Sequence, residues 1–159
     1  MKLYIKEKVF SWSDTFFVKD GYGNDKYTVK GEVFSLGKKL HVYDRHGMEV
    51  AFIRQELLTF LPQFTVSVGG AEVARVKREF SLFRPRYTIE GPNWDVEGSF
   101  WEHDYRITDS GRPIVTITKE WMTWGDSYEL DIENPANEIL ALATVLTIDC
   151  VQEMQQNND

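Results

Sequence analysis

NPANEILALATVLTIDCVQEM, residues 134–154, is unlike anything before it in the chain. Asn134 is a good helix N-cap, and Pro135 suits the first helical position, where a missing N–H costs nothing. Glu138 falls in the first turn with the sign the helix dipole favours. A helix over 135–154 is therefore predicted, about 30 Å long at about 1.5 Å per residue. From Ile139 to Ile148 no residue is charged and only Thr144 and Thr147 are polar. Their hydroxyls can return to the helix's own backbone. A surface helix would keep a polar face through its middle, so this one, apolar on all sides, is predicted to be buried. It is too short for a bilayer span, which needs about 20 apolar residues, and Asp149 interrupts it.

Everything upstream reads as strands. Runs such as KLYIKEKVF, TFFVKD, KYTVKGEVFS, KKLHVYD, EVAFIRQE and QFTVSVG alternate apolar and polar residues or are rich in β-branched and aromatic ones. After GGAE come VARVKREFSLF, RYTIEG, WDVEGSF, DYRITD, PIVTITKE and SYELDI. YDRHGMEV and TDSGRPIV read as hairpin connections, with Gly47 and Gly111 free to adopt positive φ. These runs also repeat. YTVKG at 27–31 matches WDVEG at 94–98, aligning Gly31 with Gly98. VYDRHGMEVAFIRQE at 42–56 matches RITDSGRPIVTITKE at 106–120, aligning Gly47 with Gly111 and Glu56 with Glu120. The same offset continues to Phe64 over Tyr128, and Phe10-Ser11 sits over Phe80-Ser81 upstream. The chain divides into related halves, about 2–70 and 71–133, within one domain over 1–159.

Two six-stranded halves leave edges that must be paired, and closing them into one antiparallel barrel removes every edge. A barrel of about twelve strands is too wide for inward side chains alone to fill. The helix at 135–154 meets that need. The expected fold is all-β with one helix: a closed barrel of two duplicated halves around a buried C-terminal helix.

Composition agrees with a single folded domain. Of 159 residues, 42% are hydrophobic and 14% aromatic, enough for a large core. Cys150 is the only cysteine, which excludes an internal disulfide, and its neighbours Ile148 and Val151 make it a small buried hydrophobe. MKLYIKEKVF has no uncharged run, so no signal peptide is expected, and with no transmembrane segment a cytoplasmic protein follows. The net charge of −7 is uneven: residues 1–91 carry 15 Lys and Arg against 11 Asp and Glu, residues 92–159 carry 3 against 14. An acidic half argues against nucleic acid, which demands a broad positive surface.

The paired YTVKG and WDVEG strands, the recurring Gly, Val, Ile and Glu positions and the apolar C-terminal helix resemble the LURP-one-related family, within the tubby-like and phospholipid-scramblase superfamily. The resemblance covers the whole chain. It implies a twelve-stranded barrel threaded by its C-terminal helix, in agreement with the reading above. Tubby relatives bind phosphoinositide head groups through basic barrel residues; without a position-by-position match, no site is carried over from them.

For function, RVKREFSLFRPR stands out, with Arg75, Lys77, Arg78, Arg84 and Arg86 against the single acid Glu79. If 73–83 and 86–91 form a hairpin, several of these cations would converge on a phosphate or acidic head group. Alternation opposes full convergence, because Arg78 faces away from Arg75 and Lys77, and strand cations also serve simply to block edge pairing. The apolar connections LLTFLP (57–62) and WMTWG (121–125) are expected to cap the barrel ends rather than to touch a membrane interface. His41, His46 and His103 lack paired metal spacing and read as exposed loop histidines. No Gly-x-Ser-x-Gly elbow, phosphate loop or carboxylate pair is recognisable, so no catalytic residue, metal or cofactor is assigned. The leading expectation is a non-enzymatic module for an anionic lipid head group or a protein partner, possible as a peripheral protein at the membrane. The competing expectation is a carrier or enzyme with a site at a barrel mouth: a deep open pocket lined by converging polar groups would favour it, and a lumen sealed by the helix would count against it. Asp149 needs a partner that the sequence does not name.

Overall fold

Period-two alternation becomes a wall with one apolar face. The structure, a computed structural model, describes residues 1–6, 15–32, 36–84, 86–122 and 125–157, with backbone alone at 121–122 and 125–126. Twelve antiparallel strands run in chain order: β1 (Lys2–Lys6), β2 (Thr15–Asp20), β3 (Asp25–Gly31), β4 (Lys39–Tyr43), β5 (Glu49–Gln55) and β6 (Gln63–Val68). They continue as β7 (Ala71–Glu79), β8 (Arg86–Glu90), β9 (Trp94–Ser99), β10 (Asp104–Asp109), β11 (Arg112–Met122) and β12 (Gly125–Ile132). Each strand pairs with its neighbours in sequence, and β1 pairs with β12 to close the barrel. Alternate residues point inward and are buried: Leu3 and Ile5, Leu40 and Val42, Phe64 and Val66, Val115 and Ile117, Leu130 and Ile132.

A short 3-10 turn (Pro135–Asn137) leads into helix α1 (Glu138–Gln156), so the α-helix begins one turn later than the sequence predicts and ends two residues beyond Met154. Asn134 caps the 3-10 turn, its side chain accepting from the Ala136 N–H at 3.0 Å. All residues from Ala141 to Ile148 are buried, more than two full turns, so every face of the helix is covered by the wall. Thr144 and Thr147 donate to the Leu140 and Ala143 carbonyls, both at 2.7 Å, which removes their polarity from the lumen as the sequence reading expects. At the N-terminal end of α1, Glu138 accepts from Tyr27 Oη at 2.8 Å and pairs with Lys26 at 2.5 Å.

The pairing register relates the two halves closely. Ala51 pairs with Val68 and Val115 with Ile132, an offset of 64 residues in both strands. The ungapped alignment fails at one point. Val42 opposes Ala51 and Ile107 opposes Val115, so β4 and β10 are 65 residues apart. The hairpin containing Gly111 is one residue shorter than the one containing Gly47, and Arg106 corresponds to His41, not to Val42. Both hairpins bulge at this place, and both glycines take positive φ, 77° and 82°. Gly98 takes φ 122°, and a Cβ there would stand 2.6 Å from the Asp104 carbonyl oxygen and 2.7 Å from Tyr105 Cα, so only glycine fits. Phe10-Ser11 lies outside the described residues.

Candidate functional site: the mouth at the C-terminal end of the helix

The described residues that follow β3, β5 and β7 (32 and 36–38, 56–62, and 80–84) lie at the end of the barrel where α1 finishes, together with 100–103. The end is defined by Gln152 near the C-terminus of α1, whose Nε2 donates to Tyr87 Oη at 3.0 Å near the start of β8.

Asp149 finds its partners here. Its carboxylate accepts from Tyr128 Oη in a short hydrogen bond and lies 3.3 Å from His103 Nε2. The His103 ring stacks on Tyr128 with centroids 4.0 Å apart and planes 5° apart. His103 adopts φ 50°, a left-handed conformation that histidine tolerates better than most residues and that turns its ring towards the helix. Burial, and then the adjacent Asp149 charge, hold the Tyr105 and Tyr128 hydroxyls and the Cys150 thiol well above their ordinary ranges. Burial dominates at Tyr87 too, although nearby Arg78 pulls in the opposite direction. These groups stay neutral, and Asp149 is held by the Tyr128 hydroxyl beside one imidazole.

Over this cluster lies an open cavity of about 370 Å³, walled by Ile5, Lys6, Phe16, Phe100 and Trp101, with Asp149, Gln152 and Glu153 of α1 below. Burial raises the Glu153 carboxyl, with Lys38 opposing and Asp149 adding to the rise. Among the described residues, Gln152 Oε1 and Glu153 Oε2 are buried without a hydrogen-bond partner. The cavity is open and lined by polar as well as aromatic side chains, while the lumen below it is closed by the helix.

The five basic residues do not form one cluster. β7 and β8 pair as a hairpin, with Arg75 opposite Glu90 and Glu79 opposite Arg86. Arg75 and Lys77 point outward and are held by acids: Arg75 to Glu56 at 3.0 Å and to Glu90 at 4.0 Å, Lys77 to Glu90 at 2.8 Å. Glu56 also accepts from Thr65 Oγ1 at 2.5 Å and from Gln63, and its carboxyl is held low. Arg78 faces the other way, towards Tyr87, with a buried Nε. Arg84 and Arg86 are exposed and form no ion pair among the described residues.

The connection at 57–62 does not cap the barrel as expected. Leu58, Phe60 and Phe83 are 105%, 97% and 93% exposed, and Leu36, Leu57, Phe80 and Leu82 are exposed beside them. Their loops abut: the Arg78 N–H donates to the Pro62 carbonyl at 3.0 Å, and the Lys38 N–H donates to Gln55 Oε1 at 3.0 Å. The C-terminal end of α1 lies under the open cavity instead, with Phe100 and Trp101 in its wall. Of 121–125, residues 123–124 lie outside the described residues.

Two of the histidines also differ from expectation. His46 is an exposed turn residue, but His41 lies in β4 and bridges Glu49 (Nδ1, 2.6 Å) and Glu32 (Nε2, 2.7 Å), stacked on Phe52 at 4.7 Å. His103 is largely buried, as described above. The sequence signal for this mouth was Asp149 alone, a charge in an apolar helix that had to find partners. Among the described residues, no three His, Cys, Asp or Glu side chains are placed to hold a metal ion. No described helix is long and apolar enough to cross a membrane.

Twelve antiparallel strands closed into a barrel around the chain's own C-terminal helix, with an open polar mouth at the helix end, define a small helix-filled barrel. The chain belongs to the LURP-one-related family, whose model matches residues 1–149. It is 32% identical over 151 residues to a Bacillus subtilis (strain 168) protein, "Uncharacterized protein YxjI", covering 95% of this chain and 93% of that one. The X-ray structure of an Arabidopsis thaliana protein shares the fold, with a TM-score of 0.65 and 19% identity over 94% of this chain and 90% of that one.

Proposed function

We propose that this protein is a non-catalytic module, cytoplasmic and peripheral, that docks by its helix-end loops on an anionic membrane interface. One observation carries the reading: seven large apolar side chains stand exposed on three abutting loops, beside Arg84 and Arg86, which have no acidic partner among the described residues. A soluble domain rarely exposes a contiguous apolar patch without a use for it. Each large side chain moved from water into an apolar layer contributes about 1.5–3 kcal/mol when fully buried, and each cation near an anionic surface about 1 kcal/mol. Partial burial of a few such groups is enough for reversible attachment. The net charge of −7 does not oppose this, since salt screens charges beyond about 8–10 Å and the acids concentrate in the second half.

Arg75 and Lys77 contribute little here, because Glu56 and Glu90 already neutralise them. The test is co-sedimentation with vesicles of phosphatidylcholine, with and without phosphatidylglycerol. Wild type is expected to bind only the anionic vesicles, and less as salt rises. Phe60→Ser with Phe83→Ser, and separately Arg84→Glu with Arg86→Glu, should each reduce binding at least tenfold, whereas Arg75→Glu with Lys77→Glu should not. Indifference of wild type to anionic vesicles at low salt would end this reading.

A further inference from the structure

The cavity beside Asp149 differs in chemistry from the apolar loops that share its end of the barrel. Its floor is the last turns of α1, the negative end of the helix dipole. Asp149 and Glu153 add formal negative charge, against Lys6 on the rim and Lys38, which lies close enough to act on Glu153. One wall is aromatic, formed by Phe100 and a half-exposed Trp101. Gln152 uses one end of its amide on Tyr87, and Gln152 Oε1 and Glu153 Oε2 are acceptors that no described residue supplies with a donor.

We infer that this mouth binds a primary ammonium group, carried by a phospholipid head group or by a free aliphatic amine. An anionic ligand would face two carboxylates and the wrong end of the helix dipole. A metal ion would lack a ligand set, since no three metal-binding side chains converge among the described residues. The aromatic wall attracts a cation over the face of the Trp101 indole. The buried acceptors decide between cations, because only an ammonium with N–H donors answers them and a quaternary ammonium has none. A cavity of about 370 Å³ accommodates an amine of a few carbons with part of its chain. The free-amine source stands on the cavity alone; the lipid source also rests on the docking reading.

The test separates the two. In solution, butylamine and putrescine are titrated into the labelled full-length protein and followed by NMR at the Trp101 indole and the amides of 149–157. Tetramethylammonium and acetate are the controls. On vesicles with a fixed phosphatidylglycerol fraction, phosphatidylethanolamine is compared with phosphatidylcholine as the remainder. Saturable amine shifts confined to the mouth, weakened at least tenfold by Glu153→Gln and several-fold by Trp101→Leu, support the inference with a free amine as source. A preference for phosphatidylethanolamine of several-fold that Glu153→Gln removes supports it with a lipid source. Equal shifts by tetramethylammonium, mouth shifts by acetate, or no response in either arm would overturn it. Glu153 is partly exposed near the helix end, so the variant is expected to melt like wild type. If vesicles are ignored altogether while amines still bind in solution, docking fails and the ammonium site stands.

Discussion

Replacing Leu142 by alanine tests whether α1 is the packed core of the barrel. Leu142 is fully buried in the stretch of the helix that the wall covers on every side. Truncation removes apolar atoms that have no water to return to and leaves a cavity whose cost depends on how far the surroundings collapse. Here collapse is limited. The circumference is set by twelve strands hydrogen-bonded in a closed ring, so the wall cannot move inward at one level without disturbing pairing all round. The helix cannot shift towards the gap without opening one on its other side. The cost therefore belongs in the upper part of the range for leucine truncations, about 4 kcal/mol. For a domain of 159 residues, about 3 °C of Tm per kcal/mol gives a fall of about 12 °C. Circular-dichroism melts with urea titrations at fixed temperature measure both, and the urea m-value should be unchanged because both states expose the same surface. A shift under about 3 °C with a normal m-value would mean that the lumen is soft and the barrel does not depend on tight packing against its helix.

Two further outcomes follow from the register and the surface. Gly98→Ala forces a Cβ to within 2.6 Å of the Asp104 carbonyl in a backbone region that L-residues avoid, so a loss of about 2–3 kcal/mol is expected in urea unfolding. Alanine at the open turn position Gly21, where nothing lies within 4 Å and φ is not positive, serves as the control and should stay within about 0.5 kcal/mol. His41 gives a pH signature. Burial works to lower its pKa, but hydrogen bonds to Glu32 and Glu49 outweigh it and raise the folded value above 6.5. The protonated ring is thus favoured by folding, so its stabilisation is complete below about pH 6.5 and fades as pH rises through the folded pKa. The stability gap between wild type and His41→Gln should be wider at pH 6 than at pH 9, and a gap independent of pH would show that the ring is not charged in its bridge.

Much of the architecture was legible in the chain because it depends on local periodicity. Alternation in KYTVKG or PIVTITKE says which side chains face inward without knowing what they meet. The all-round apolar run from Ile139 to Ile148 implies a surrounding structure, and the repeated glycines indicate two halves that supply it. The misalignment at β4 and β10 comes from matching on the turn glycines: it sets inward Val42 on outward Arg106, and a gap of one residue in the hairpin restores Val42 on Ile107. The candidate mouth was far less legible. Asp149 announced a need but not its partners, since His103 and Tyr128 lie 46 and 21 residues away in sequence.

Barrel and central helix were thus determined by the sequence itself, through strand alternation, turn glycines and a helix with no polar face. Only the tertiary structure decided where charge and exposed apolar surface lie. RVKREFSLFRPR looks like one basic cluster in sequence, yet the pleat and the acids of neighbouring strands tie Arg75 and Lys77 to the wall and leave Arg84 and Arg86 beside Phe60 and Phe83. LLTFLP looks like a cap, yet its Leu58 and Phe60 stand exposed. Both outcomes depend on side chains from β5, β7 and β8 and the loops between them meeting on one face, which the pattern of a single strand does not specify.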